Sequence, residues 1–460
     1  MGKNKSFRLQ LWQSKRVDFF YILICLACTF LIFTQASSEN ENKDSPIVLS
    51  SLKDAINIAL KSNLNIQMQE KEVAASRSDI IVAKSVFFPQ ISLDASYTHN
   101  DKVFAENIFT GFKNDNSLGL ALNQSIYSGG ANYANFKQAI LKLKIQEETL
   151  RSRKLDIEFE AKRLYYGLLL AYETERITED LFNQAKAHYE DVKQKFSQGT
   201  ASRFDVLQSS VQVSKIMPEL VKAKNAVELI KADLKKLLKI KMLDDLKVED
   251  KLGYSLVDIN EPEFLKVAYL NQPAMNLKTL GIDVNKWAIQ LAKATNRPQV
   301  NASLNYSLRS NSLGNITDTQ YRNWNAGIAV SVPIFDGFSS KGKVDAAKVR
   351  YEEAFLDKEN IADQIAVDIK KACLDLRQSK SIIDYTKDNI GEAKEALKIS
   401  EVSYDNGEGT NLDILDAQVS LSQIEKDYSN GIYDYLMAQA FLDKTMARFS
   451  LGEEKNEKKS

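Results

Sequence analysis

The chain is poor in residues that interrupt helices and in residues that commonly carry catalysis. It has only 18 glycines and 7 prolines among 460 residues, while 27% of the residues are charged. So few helix breakers among so many charges predict long uninterrupted helices. The two histidines, His99 and His188, lie far apart, and the sequence contains no HExxH, CxxC or glycine-rich phosphate loop. We therefore expect no enzyme activity, no cofactor and no metal site. The formal net charge of +0 gives no sign of a nucleic-acid partner.

Residues 1–36 have the pattern of a signal peptide. Several basic residues precede an apolar run over residues 19–33, and Ala36 lies in a stretch of small residues suited to cleavage. An N-terminal membrane anchor is the alternative, but about 15 apolar residues are few against the roughly 20 that span a bilayer. We therefore predict export, with residues 37–46 as the polar N-terminus of the mature chain.

Cysteine is scarce, with three residues in the whole chain. Cys25 and Cys28 lie inside the predicted signal peptide, so the mature protein would keep Cys373 alone and could form no internal disulfide. Lipidation at Cys28 is disfavoured because the apolar run continues past it. No later segment is apolar over the length that a membrane helix needs. The exported chain is predicted to be either soluble or inserted by strands.

The chain is a tandem duplication of one plan. Three sequence segments recur at an offset of about 208 residues, and an accidental match of three anchors at one offset is improbable. The pairs are FFPQISLDASYT with NRPQVNASLNYS, QSIYSGG with SVPIFDG, and FSQGTASRFDVL with YDNGEGTNLDIL. We predict repeats over residues 47–238 and 263–450, a connecting segment 239–262 and a charged tail 451–460.

Each repeat is predicted to contain a helix, a pair of strands, a very long helix, a turn and a second helix. In the first repeat, apolar spacing predicts one helix over about residues 52–84. Strand pairs follow at 89–127 and, in the second repeat, at 298–334, and apolar residues alternate there with small polar ones. Such strands fit either a soluble sandwich or a membrane barrel with lipid outside and water inside.

The long helices, residues 131–196 and 341–406, are too long to serve as membrane spans. About 65 residues at 1.5 Å each give about 100 Å, over three times the roughly 30 Å hydrocarbon core of a bilayer. They are predicted to run through water beside partner helices, as coiled coils do.

Four strands of membrane-spanning length cannot close a barrel, which needs at least about eight. Open strand edges are not tolerated in lipid. If the strands lie in a membrane, several chains must share one barrel. Two copies would give eight strands and three would give twelve, and strand arithmetic does not choose between them.

These motifs resemble the TolC-type outer-membrane efflux and secretion channels. The resemblance rests on QSIYSGG and VPIFDGF where strand passes to helix, on the two turn motifs, and on the duplication itself. It implies a mainly α fold with membrane strands: a homotrimer with a 12-stranded barrel in outer-membrane lipid, continued into the periplasm by a long α-helical coiled-coil tunnel. Residues 239–262 would belong to a belt around the helices.

The resemblance also implies a function. Such channels are passive exit ducts for small molecules or secreted proteins, and they work with a periplasmic adaptor (membrane fusion) protein and an inner-membrane pump or ABC transporter. The alternative is a periplasmic adaptor or a coiled-coil scaffold. An adaptor would have one helical hairpin flanked by small β-rich domains, whereas this chain has two hairpins and strands patterned for lipid.

The two predicted hairpin tips, 197–205 and 405–413, contain the same capping chemistry. Gly199 and Gly407 suit the positive φ at which a helix ends. Ser202 precedes Asp205 by three residues, and Thr410 precedes Asp413 by three, which is the signature of a capping box. Capping therefore explains the glycine, the hydroxyl residue and the first aspartate of each tip.

Asp416 is not explained by capping, because it lies one turn beyond Asp413 and its counterpart in the first repeat is Gln208. In a trimer, Asp413 and Asp416 would form two stacked carboxylate rings that favour cations at the mouth of the channel. This asymmetry predicts that the second repeat forms the inner, pore-facing mouth.

The resemblance assigns contacts of the closed periplasmic gate to Asp205 and Tyr404. A third position, usually arginine in the family, is Gly409 here. We expect Arg203 or Lys193 to replace that link, or the gate to be held by fewer charged contacts.

Overall fold

We describe the protein from a computed structural model, of which residues 47–49, 51–101, 113–311 and 322–449 are described. The predicted signal peptide, the polar segment 37–46 and the charged tail 451–460 lie outside the described residues. So do most of the two loops that join the paired strands.

The two repeats contain the same elements in the same order. The helices are α1 (Leu52–Ser62), α2 (Leu64–Ser85), α3 (Ala131–Ser197), α4 (Arg203–Leu238), α5 (Glu261–Asn271), α6 (Pro273–Ala294), α7 (Ser339–Asp405) and α8 (Asn411–Thr445). The strands are β1 (Ile47–Leu49), β2 (Gln90–His99), β3 (Asn114–Ser128), β4 (Leu246–Val248), β5 (Gln299–Ser310) and β6 (Arg322–Ser331).

The single helix predicted before the first strand pair is two helices in the structure. Asn63 is extended, and its side-chain Oδ1 accepts a hydrogen bond of 2.9 Å from the Asn65 N–H, which caps α2. The apolar spacing continues across this residue, so periodicity alone does not reveal the break. The second repeat is interrupted at the same place, where α5 ends and Pro273 begins α6.

Two helices of 67 residues each, α3 and α7, dominate the molecule. At 1.5 Å per residue each is about 100 Å long. Near the strands they run beside the shorter helices α2 and α6; towards the tips they pair with α4 and α8 as two hairpins. Contacts between α3 and α8 hold the hairpins side by side.

Four long strands form one antiparallel sheet in the order β2-β3-β5-β6. The register places Leu93, Leu120, Tyr306 and Trp324 directly opposite one another across all four strands. Directly paired residues of a sheet share one face. In this single chain the apolar face is exposed, with 70% of Leu93 and 69% of Trp324 accessible to solvent. The rows between carry small or polar residues on the other face.

The connecting segment contacts both repeats near the bases of the two hairpins, about halfway along α3. β4 pairs in parallel with β1, at the start of the described chain. The Tyr165 hydroxyl of the first repeat donates to Asp250 Oδ2 at 2.5 Å, and the Val257 N–H donates to the Tyr435 hydroxyl of the second at 2.9 Å. Both tyrosines are buried in apolar clusters of their own repeat.

A buried charged cluster joins α3 to α8 at this level. Lys162 Nζ lies 3.1 Å from Glu158 Oε1 and 3.5 Å from Asp443 Oδ2, and the Lys162 side chain is 7% exposed. Burial raises the pKa of the Asp443 carboxyl, and the Lys162 ammonium only partly opposes that shift.

Among the helices of the described ranges, none contains an apolar stretch long enough to cross a membrane.

Candidate functional site

Both hairpin tips turn through the same backbone motif. Gly199 and Gly407 have φ values of +79° and +75°, which lie in the left-handed region that favours glycine. In each tip the glycine N–H donates to the carbonyl three residues earlier, and the N–H of the next residue donates to the carbonyl five residues earlier. The second kind of bond joins Thr200 N to Lys195 O at 2.9 Å and Glu408 N to Ser403 O at 2.8 Å. These are Schellman motifs, and they satisfy carbonyls at the end of each long helix.

After each turn, a capping box begins the second helix of the hairpin. The Ser202 N–H donates to Asp205 Oδ2 at 3.0 Å, and the Asp205 N–H donates to Ser202 Oγ at 3.1 Å. In the second tip the Thr410 N–H donates to Asp413 Oδ2 at 2.7 Å, and the Thr410 hydroxyl donates to the same oxygen at 2.7 Å. Hydrogen bonds from the Thr410 side chain and backbone lower the pKa of the Asp413 carboxyl below its ordinary value.

Asp413 and Asp416 lie on the exposed side of α8, while Ile414, Leu415 and Gln418 are buried on the other side. Within the described residues Asp416 has no ion-pair or hydrogen-bond partner. Its counterpart Gln208 accepts a hydrogen bond from Asn411 Nδ2 at 2.9 Å. The asymmetry between the copies is therefore an exposed acid in the second hairpin and a partly buried hydrogen bond at the corresponding position of the first.

Asn411, which is 2% exposed, is the centre of a polar network that sequence reasoning missed. Its Oδ1 lies 2.7 Å from His188 Nε2 and accepts from the Ser209 hydroxyl at 3.0 Å. With the bond to Gln208, one amide ties α8 to both helices of the first hairpin. One sequence signal could have revealed this network. Asn411 is a polar residue on the side of α8 that carries apolar residues at helical spacing.

Lys195 makes the charged link between the two tips. Its Nζ lies 2.6 Å from Asp405 Oδ1 of the second hairpin and 2.9 Å from Asp191 of its own helix. The same ammonium lies 4.6 Å from the centroid of the Tyr404 ring. Partial burial tends to lower the pKa of Lys195, but hydrogen bonds to Asp405 and Asp191 outweigh it and raise the pKa.

The predicted substitutes for the family arginine do not make this link. Lys193 pairs with Glu190 at 3.6 Å and lies over the ring of Tyr189, both on its own helix. Arg203 contacts no carboxylate among the described residues. Sequence reasoning did not single out Lys195, which faces the other hairpin. The replacement of the family arginine by Arg203 or Lys193 at the gate stays a prediction.

Asp205 and Tyr404 are near each other but are not hydrogen-bonded within the chain. Burial raises the pKa of Tyr404, and the negative charge of Asp205 adds to the shift. The Tyr404 ring packs edge-on against His188 at 5.7 Å. In the described part of the chain its hydroxyl has no hydrogen-bond partner, whereas the Asp205 carboxylate caps its own helix.

Gly409 occupies a place where a side chain would not fit without movement. A Cβ there would lie 3.1 Å from Ser403 Cβ and 3.1 Å from the Tyr404 nitrogen. The Gly409 N–H also donates to Ser403 O at 3.0 Å. The turn therefore packs closely onto the end of α7, and an arginine at this position would have to displace it.

The tip residues combine ion pairs, an aromatic contact and a buried amide. Among the described residues no group of three or more His, Cys, Asp and Glu side chains is placed to hold a metal ion.

Comparison with known proteins agrees with this architecture. The outer membrane efflux protein family model matches the chain twice, over residues 55–238 and 265–448, which confirms the tandem duplication. The outer membrane protein TolC of Vibrio cholerae serotype O1 is 21% identical over 401 residues, covering 86% of this chain and 90% of the relative. The alkaline protease secretion protein AprF of Pseudomonas aeruginosa is 18% identical over 400 residues, covering 85% and 83%.

The fold is that of solved outer-membrane channels. The Campylobacter jejuni CmeC outer membrane channel superposes with a TM-score of 0.77 at 19% identity, covering 90% of each chain. The matches to both repeats favour the channel over a periplasmic adaptor or scaffold. With its lipid-type sheet and paired helical hairpins, the chain belongs to the outer membrane efflux protein family and is an outer-membrane efflux or secretion channel.

Proposed function

We propose that three copies of this chain close one barrel and one tunnel, which is a passive exit duct. The observation that carries the proposal is the sheet: it has one continuous apolar face, exposed in the single chain, and among the described residues its outer strands β2 and β6 each pair on one side only. In lipid, the free edges must be paired and the apolar face must lie outward. Three copies would supply twelve strands, as the resemblance implies.

The helices support the same assembly. In the single chain, α4 exposes an apolar stripe at helical spacing that includes Phe204, Leu207 and Val211, and α7 exposes residues such as Leu356 and Val367. Exposed apolar surface on this scale marks an interaction face. A neighbouring copy would cover it, because each hairpin would then lie between two others around the tunnel.

A substitution on each face of β2 tests the barrel. Leu93→Lys places a charge on the apolar face, and Ser92→Lys, its matched control, places the same charge on the polar face. A lysine facing lipid costs about 2–4 kcal/mol near the middle of the bilayer. We expect Leu93→Lys alone to reduce the amount of outer-membrane trimer, measured by membrane fractionation and native mass. Equal behaviour of the two variants, or a monomeric wild type, would contradict the proposal.

The duct would receive cargo from partners in the cell envelope. We propose a periplasmic adaptor that contacts the hairpins and an inner-membrane pump or ABC transporter that delivers small molecules or proteins. The chain itself would catalyse no reaction, because its family consists of passive channels. Copurification of crosslinked partners with the intact channel tests this, and recovery of the channel without either partner class would count against it.

We propose that Asp413 and Asp416 form acidic rings at the periplasmic mouth. Their exposure on one side of α8 supports the placement. Asp416→Asn is the cleaner test, because this carboxylate caps nothing. We expect weaker cation preference and weaker block by multivalent cations in single-channel recordings, and a larger loss when Asp413→Asn is added. The control variant Glu395→Gln removes an exposed acid of α7 that lies away from the tip. It should change neither the cation preference nor the block by multivalent cations.

We propose that Asp205 and Tyr404 hold the closed gate across neighbouring protomers. The Tyr404 hydroxyl has no hydrogen-bond partner among the residues that the structure describes, which supports a partner outside its own chain. Tyr404→Phe and Asp205→Ala should each raise the single-channel conductance. Ser202→Ala removes the cap but leaves the Asp205 carboxylate, so it separates capping from gating. Unchanged conductance in both gate variants would refute the assignment.

A further inference from the structure

Basic residues are concentrated where the sheet meets the helices. We define the basic collar as residues 74–89, 129–142, 283–298 and 332–350, which lie within about 18 Å of the end of the sheet along each helix. These ranges contain eleven basic and four acidic residues, a net charge of +7 in a chain whose formal net charge is +0. The excess is therefore local, and the rest of the chain is acidic.

Most of these charges are not neutralised within the chain. Lys341, Lys343 and Arg350 on α7 and Lys293 on α6 are exposed, and in the described part of the chain none of them pairs with a carboxylate. Lys348 has only Asp345, one turn away on its own helix, at 3.3 Å. Because the like charges of such a patch repel one another, the patch destabilises the folded chain at low ionic strength. An anionic partner removes this repulsion and is therefore bound favourably.

Exposed aromatic side chains lie within the basic collar, close to the ends of the strands. Phe88, Phe335 and Phe338 are exposed by 56%, 73% and 69% at the ends of the strands. Lys84 Nζ lies 6.0 Å from the centroid of the Phe88 ring, and Lys137 Nζ lies 5.3 Å from that of Tyr133. Aromatic rings at the edge of a membrane segment mark the level of lipid headgroups. The basic groups next to them therefore lie at headgroup level and just below it.

Two grooves between α6 and α7 combine these properties. One, of about 440 Å³, begins at Gln299, the first residue of β5; Leu291 and several alanines line it, together with Lys343 and Arg350. The other, of about 530 Å³, is lined by four basic residues, Lys293, Arg297, Lys341 and Lys348, and by one acid, Asp345. A groove that has apolar lining, adjoins the first residue of a membrane strand and contains two basic groups suits an acyl chain with an anionic headgroup.

We propose that the basic collar binds anionic phospholipids of the periplasmic leaflet, with the headgroup phosphate held by Lys343 and Arg350. Each basic residue close to a membrane surface raises the affinity for anionic lipid about fivefold. Bound lipid would fix the depth of the barrel and the tilt of the helices below it. The proposal needs the sheet in the membrane but does not depend on the gate at the tips.

The test is lipid binding by the full-length channel in detergent, followed by native mass spectrometry. Phosphatidylglycerol is titrated against phosphatidylcholine with the same acyl chains. We expect the wild type to retain phosphatidylglycerol preferentially, and the Lys341→Gln/Lys343→Gln/Arg350→Gln variant to bind it about a hundredfold more weakly. The Lys341→Arg/Lys343→Arg variant should keep it, which controls for folding.

A matched control removes three exposed lysines on the distant half of the first hairpin, Lys186→Gln/Lys215→Gln/Lys222→Gln, and should leave lipid binding unchanged. Equal retention of the two lipids by the wild type, or equal loss in the control, would overturn the proposal. So would a collar variant that binds lipid normally but shifts the ion selectivity of the channel, since its charges would then face the lumen.

Discussion

At the scale of single residues, the two copies of the tip differ most at the first position of the second helix. In the first hairpin this residue is Arg203, which is exposed; in the second it is Asn411, which is buried against the first hairpin. A buried amide must find partners for its oxygen and its nitrogen. Asn411 finds them in His188, Ser209 and Gln208. The position that is exposed at Arg203 in the first copy is therefore a contact between the two hairpins in the second.

Lys195 offers a sharp test of that joint. Lys195→Met should weaken the closed tip, because it removes the Asp405 ion pair and the cation–π contact with Tyr404. Exposed ion pairs and cation–π contacts are each worth up to about 1 kcal/mol. We expect a roughly fivefold rise in the open fraction of the channel in planar bilayers. Lys193→Met, whose contacts stay on its own helix, should leave gating unchanged, and a similar rise in both variants would contradict this role.

At the scale of elements, the turns are limited by backbone conformation rather than by space. Gly407→Ala should destabilise the tip by about 1–2 kcal/mol, because a side chain disfavours the left-handed region, even though a Cβ would meet nothing within 4 Å. Gly391→Ala, in the interior of α7, also meets nothing, yet should stabilise the protein by about 1 kcal/mol through helix propensity. Thermal unfolding of the two variants should therefore shift in opposite directions, and two shifts of the same sign would refute the distinction.

The sequence predicted the elements better than it predicted their contacts. Alternation and helical spacing are local properties, so the strand pairs, the long helices and the capping residues of Thr410 and Ser202 could be found from residue order alone. The Lys195–Asp405 pair could not, because it depends on how far α3 is rotated about its axis relative to α7. One residue along a helix turns a side chain by about 100°, which is why Lys193 and Lys195 face different neighbours.

At the scale of the whole molecule, the buried Lys162 cluster holds the first repeat to the second. Lys162→Met should cost about 3–5 kcal/mol, because it leaves the carboxylates of Glu158 and Asp443 without their ammonium partner. Thermal unfolding in detergent measures this cost. Lys444→Met, which breaks a partly exposed pair with Asp156 between the same two helices, should cost at most about 1 kcal/mol. Similar losses in both variants would contradict the importance of burial.

The same variant should respond to pH. The folded-state pKa of Asp443 is raised above its ordinary value of 3.8, chiefly by burial. The folded state therefore binds more protons than the unfolded state between that value and the raised one, and this carboxyl favours folding as the pH falls through that window. Without Lys162 the shift should grow, so the deficit of Lys162→Met should shrink between pH 7.5 and about pH 5. A deficit that is constant or grows on acidification would disprove this.

The pairing of β1 with β4 has a consequence for the order of folding. The two strands are about 200 residues apart in the chain, and the whole first repeat lies between them. As the polypeptide emerges from its N-terminus, Ile47–Leu49 has no partner until the first sheet hairpin and the first helical hairpin have both been delivered. The pairing of β1 with β4 is thus a late folding event. It can take place only after one complete repeat has been delivered, and before the second repeat begins.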